Sequence, residues 1–319
     1  AITSSYITDS TRNDFTLLKT RVPMKYRFKV FTILTLISSC TIAGCGLVTK
    51  KITKSIFVDV ATATSKHDDV DLVSQAVPTF LLLLEGMLES NPDDSDLLIE
   101  LAKGYLTYGA LIELEDSSRA ARIYGRAMAF GQRALLQEEK IEPVINAPFQ
   151  IFSTITKILK PEHVETVFWA ASSWGAWISV NADSMAALAD LPRVILLMEW
   201  VLKQDASLYN GSPHVFLGVY HAALPEMLGG KPRKSLFHFE RALEMTERKS
   251  ATVFVQMAKF YAVQQFDREL YVSLLNQSLN VTTVESPELN LQNEAAKQQA
   301  RKLLLIADEI FYMKELLLL

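Results

Sequence analysis

From Phe57 onward the apolar positions recur three and four residues apart, the spacing that lays one stripe along an α-helix. Alternating β-branched and polar runs, which would predict strands, are hard to find. Residues 71–94 ("DLVSQAVPTFLLLLEGMLESNPDD") predict one helix, with Pro78 near its first turns and a stop at Asn91-Pro92. Residues 95–116 predict a second helix with Ser95 as its cap, and 117–139 a third opened by Ser117 or Ser118. A helix pair is expected at 164–180 and 191–205, and the fold class is all-α.

The helices also repeat in pairs. Leu101-Ala102 with Tyr105, followed by Tyr124 and Ala127, fit the small and large positions of a tetratricopeptide unit. Leu217-Gly218, then Ser235, Phe239 and Ala242, make a second unit, and Met257-Ala258 with Tyr261 open a third whose second helix fits poorly. Each such pair buries its apolar face only by stacking on a neighbour. The expectation is one compact solenoid of degenerate repeats.

Ahead of this pattern lies another. Val30–Ile42 is thirteen residues without a charge, short of the roughly twenty that cross a bilayer core. Lys25, Arg27 and Lys29 precede it and the small pair Ala43-Gly44 follows, which is the order of a secretory leader. A leader read from Met24 fits better than one read from Ala1. The segment closes Ile42-Ala43-Gly44-Cys45, which resembles the bacterial lipobox, so Cys45 is the expected lipid-attachment site. The bland alternative makes Cys40 and Cys45 small residues of an apolar helix; two cysteines five apart supply no disulfide framework. The expected organisation is an N-terminal extension and signal peptide at 1–44, a lipid-anchored tether at 45–56 and an all-α domain at 57–319. The tether's lysines suit either anionic headgroups or a solvated linker. Gly46 after the anchor points to outer-membrane sorting.

Composition narrows the function classes. The chain carries 32 Lys and Arg against 36 Asp and Glu, and the leader holds six of the basic residues but only two of the acidic, so the remainder is acidic. That balance speaks against nucleic acid as a partner. There is no G-x-S-x-G, the one cysteine past the leader is the anchor, and "LGGKPR" lacks the P-loop spacing, so nothing here predicts an enzyme or a cofactor. His214 and His221 lie two turns apart, too far along one helix to share a metal ion, and no metal site is expected.

The most distinctive stretch is Leu208–Met245 ("LYNGSPHVFLGVYHAALPEMLGGKPRKSLFHFERALEM"). Gly211-Ser212-Pro213 breaks one helix and starts another, Pro225 and Gly229-Gly230 end it in a wide turn, and Phe239 and Ala242 point inward from the next. Tyr209, His214, Tyr220 and His221 combine polar tips with apolar bodies beside that break, and they serve either as a ligand- or partner-binding wall or as packing. Trp169, Trp174 and Trp177 face the same choice between cleft and core.

Tyr209, Gly211, His214, Leu217-Gly218, Tyr220, Leu224-Pro225, Gly229-Gly230 and the box His238-Phe239-Glu240-Arg241-Ala242, together with "FWAASSWGAWI" and "NEAAKQQARKLLLIADEIF", make the chain resemble the T component of TRAP (tripartite ATP-independent periplasmic) transporter systems. The apolar tail "YMKELLLL" departs from it. The resemblance implies a periplasmic lipoprotein, helical around a channel or cleft. It also implies a homotrimer, partnership with the substrate-binding P component, and a hydrophobic or organic-acid ligand. The alternative is a tetratricopeptide-like lipoprotein scaffold for protein contacts without a small-molecule ligand. An apolar channel would favour the first and a filled core the second.

Overall fold

The computed structural model describes residues 59–223, 226, 229–282, 284 and 286–316. The leader, Cys45 and its tether, Pro225 and the last three leucines lie outside the described residues. The chain divides at Val60, and the helical body is the unit from Ala61 to Leu319.

No strand occurs among the described residues. The first helices are α1 (Val70–Ser90), α2 (Ser95–Ile112) and α3 (Ser117–Leu135). Aspartates cap them: Asp69 accepts from Leu72 N, Asp94 from Leu97 N and Asp116 from Arg119 N. The expected serine caps are therefore displaced by one residue, and Ser95 and Ser117 are the first helical residues. A carboxylate at this position satisfies an orphan N–H and also faces the positive end of the helix dipole, an advantage that a hydroxyl lacks. By length and composition α1 is apolar enough to cross a membrane, yet it packs on α2 through Leu81, Leu84 and Leu88.

Two short helices, α4 (Glu142–Ile145) and α5 (Phe149–Phe152), lead to α6 (Val164–Val180), α7 (Met185–Ala189) and α8 (Leu191–Gln204). One core joins α6 and α8 to the end of α3 around Val167, Ala170, Leu197 and Val201. Next come α9 (Leu208–Ala223), α10 (Pro232–Met245) and α11 (Ala251–Gln256), which runs on as a π-helical turn at Met257–Ala262. A second core joins α10 and α11 to α12 (Arg268–Leu279), α13 (Asn290–Leu305) and α14 (Ala307–Leu316) around Phe239, Val255, Tyr271 and Ala300. α9 belongs to both, with Leu217 in the first core and Val215 and Val219 against the second.

The paired positions read from the sequence are core positions. Leu101, Ala102, Tyr105, Tyr124 and Ala127 are buried where α2 meets α3, and Phe239 and Ala242 where α10 meets α9. Gly218 makes that approach close, since a Cβ would lie 3.1 Å from the Phe239 ring, and Ser235 Oγ donates to the carbonyl of Gly218 at 2.7 Å.

The first and last parts of the unit meet. Val70 and Val73 of α1 pack with Leu291 of α13, and Asn290 Nδ2 donates to Lys66 O at 3.1 Å. Asn293, fully buried, accepts from Ala251 N at 2.7 Å and donates to Lys249 O at 2.8 Å, so α13 caps α11 from a distance. This closure leaves a space between the two cores.

Candidate functional site

That space is a cavity of about 750 Å³ walled by α2, α6, α9, α11 and α13. Its sides are chiefly apolar, with Leu106 and Ala110 of α2, Phe168 and Ala176 of α6, and Phe216 of α9 among them. A second cavity of about 340 Å³ adjoins it, and Leu106, Ala110, Thr252, Gln256, Gln292 and Gln299 line both. The shared neck is thus rich in amide and hydroxyl groups, able to hydrogen-bond a guest without presenting it with a charge.

Two charged side chains stand in the larger cavity, and they face each other. Lys259 Nζ is 3.7 Å from Glu113, whose other oxygen accepts from Tyr124 Oη at 2.7 Å. Burial and then the Glu113 charge push the Tyr124 hydroxyl far up, so it stays protonated and remains a donor. Lys259 sits in the π-helical turn of α11, the kind of irregularity that is frequent at functional sites.

The opposite wall is shaped by the start of α9. Tyr209, Asn210 and Gly211 are all left-handed, with φ of 46°, 58° and 80°. Gly211 needs glycine for its backbone, and a Cβ there would push Met245 Sδ, 2.9 Å away, aside. The two non-glycine residues store strain of about 1–2 kcal/mol each. Side-chain bonds hold the turn: Ser212 Oγ donates to Tyr209 O at 2.7 Å, Trp169 Nε1 donates to Tyr209 Oη at 3.0 Å, and Tyr209 Oη donates to Glu165. The expected break at Gly211-Ser212-Pro213 is thus a left-handed turn one to two residues earlier, and Ser212 ties it back through its side chain.

The candidate residues fall into three groups. Tyr209 and Tyr220 line the cavity. Trp169 touches it only through Tyr209, their ring centroids 5.0 Å apart. The rest lie elsewhere. Trp174 is buried edge-on to Phe152 with Nε1 unpartnered, and Trp177 is half-buried in the same apolar cluster with Ile178 and Val194. Gly229, with φ of 97°, is an exposed turn position, while Gly230 is buried.

His214 and His221 are also off the cavity wall. Both are buried against α10, where His214 Nδ1 lies 2.8 Å from His238 Nδ1 and the His221 and His238 rings stack at 5.6 Å. Two ring nitrogens in that contact must share one proton, so one donates and the other accepts. Burial first, and then Lys234 and Lys231, lower His221 to about 4. Burial, then the other two histidines and Lys234, lower His238 to about 4. Burial and then Arg241 lower His214. The three are therefore neutral at pH 7, and among the described residues no group of three or more His, Cys, Asp or Glu is placed to hold a metal ion.

Sequence reasoning passed over Glu113, Tyr124, Lys259 and the glutamines at the neck. Lys259 carried a signal, a single charge within the apolar run "VFVQMAKFYAV". The glutamines carried none, because amides on a helix surface are ordinary until packing turns them inward.

Compared with protein families, residues 66–311 match the model described as the TRAP transporter T-component. No curated protein matches the chain.

Proposed function

Since the chain belongs to the TRAP transporter T-component family, a transporter component and not an enzyme family, we propose that it is a periplasmic accessory protein that holds a small ligand in its central cavity and docks the substrate-binding P component. The observation that carries this reading is the cavity itself, about 750 Å³ beside the two cores of the helical body. A pocket of this size with apolar walls and a few placed polar groups is the usual form of a small-molecule site. A scaffold used only for protein contacts has no need to keep it open.

The ligand this wall suits has an apolar body and a weakly polar or acidic end. Tyr209 and Tyr220 face the body, and the glutamine neck or Lys259 receives the end. Lys259 is only loosely paired at 3.7 Å, which leaves it able to turn to a guest's carboxylate. Through the adjoining cavity the neck provides a route by which a ligand passes to or from the P component. Cys45 anchors the protein by lipid to the outer membrane, and a trimer of such units is the family-based expectation for its assembly.

Two experiments test the reading. An apolar sulfonate dye, 1-anilinonaphthalene-8-sulfonate, should bind the folded wild type and lose that binding in Ala176→Trp, which fills the cavity from α6. Equal dye binding in a variant with an unchanged melting temperature would remove the cavity from the function. For the anchor, fatty-acid labelling in cells should mark the wild type and spare Cys45→Ala.

A further inference from the structure

α3 carries four arginines and no acidic residue in a chain of net charge −4. Apart from the two serines at its start, its exposed positions include Arg119, and the arginine row continues through Arg122, Arg126 and Arg133. With Ala129 between the last two, the spacing of three, four, three and four sets them in one row, about 21 Å long at 1.5 Å per residue. Like charges three and four apart on a helix repel, so the row is a standing destabilisation of the free protein.

Among the described residues the row makes one ion pair, Arg126 with Glu85 of α1. The other three are held by neutral groups. Arg119 donates to Tyr108 Oη at 2.7 Å, Arg122 to Ser118 O at 3.2 Å and Arg133 to Pro92 O at 2.9 Å. Arg119, Arg126 and Arg133, seven residues apart, also lie over the rings of Tyr108, Tyr105 and Phe130 at 5.4, 5.2 and 5.8 Å. A guanidinium has five N–H donors in a rigid fork, and each of these uses only part of that set within the chain. The rings order the forks in advance, which reduces the entropy lost when they bind something else.

We propose that this row is a docking surface for a protein partner that presents a matching line of carboxylates. Planar forks fixed over aromatic rings suit directional, bidentate pairing with carboxylates. An anionic lipid surface attracts lysine and arginine alike and extends in every direction. Here every basic residue of the helix is arginine. A broad anionic plane gains nothing from forks held in fixed directions, whereas a line of carboxylates on a protein can pair with each of them. The inference rests on the reading that the P component is a partner, since that protein is the probe.

The full-length protein in detergent is titrated with its purified P component at about 50 and about 300 mM salt, where screening of exposed charges differs strongly. Wild-type affinity should fall on the order of tenfold across that step. The triple variant Arg119→Gln, Arg122→Gln, Arg133→Gln should bind on the order of tenfold more weakly at low salt and respond little to salt, with its helical spectrum intact. Arg122→Glu, which touches only its own helix, is the second variant should the triple variant fail to fold, and it should weaken binding in the same direction. If the wild type binds and neither variant changes that binding, the docking surface is overturned while the P-component partnership stands. If the wild type does not bind at all, both fail. Loss of binding to phosphatidylglycerol vesicles, or of self-association, with P-component binding unchanged would overturn the proposal in favour of a membrane or a second copy.

Discussion

His214, His221 and His238 form a buried neutral cluster whose charged neighbours are cations, and this sets a pH dependence with a definite sign. Each histidine titrates near 6.5 in the unfolded chain and lower in the fold, so the unfolded state binds protons first as pH falls. The stability they contribute is complete above pH 6.5 and is lost between there and about 4. For His221 and His238 the loss is on the order of 2 kcal/mol each. Melting temperatures followed from pH 8 downward should therefore drop below pH 6.5, and His238→Gln should flatten that drop. A parallel pH profile in the variant would place the dependence elsewhere. At the same scale, Gly218→Ala pushes a methyl against the Phe239 ring, and chemical unfolding should show a loss of about 1–3 kcal/mol.

Among elements, the helix starts separate two residue types that the sequence leaves adjacent. Asp116 accepts from Arg119 N at 2.8 Å while Ser117 is already helical. Asp116→Ala should lower unfolding free energy by about 1 kcal/mol, whereas Ser117→Ala should change it little. Equal effects from the two would mean that the serine shares the cap. α11 is a different case: its own Ser250 makes no side-chain cap bond, and Asn293 of α13 supplies one. A buried cap that reaches across the chain ties the start of the cavity-lining helix to the far end of the unit.

At the scale of the molecule, α1 meets α13 through Val70, Val73 and Leu291, and Val70 and Leu291 form part of the wall of the smaller cavity. This contact is small beside the core of α10 to α14, so it should open before that core does. Leu291→Ser should raise hydrogen exchange in α1 and the start of α13 while leaving α10 and α12 protected, as read by mass spectrometry of peptides. A uniform rise would show that the unit opens only as a whole.

The all-α class, the buried positions of Tyr105 and Tyr124 and the contact of Gly218 with Phe239 were legible in the residues, because helical period and small-against-large matching are local properties. So was the break before Ser212, which glycine and proline announce, though not its left-handed form. For the histidines wall and packing stayed open in the sequence: distance along one helix is all that it offers for His214 and His221, and their packing involves His238, supplied by another helix. Of the cavity wall, only Tyr209 and Tyr220 were legible. Its Lys259, Glu113 and glutamines come from helices far apart in the chain, and only the closure of α13 on α1 and α11 turns those side chains toward one space. Local periodicity determines which face of each helix is apolar; which faces meet, and where they leave a gap, is decided by packing over the whole molecule.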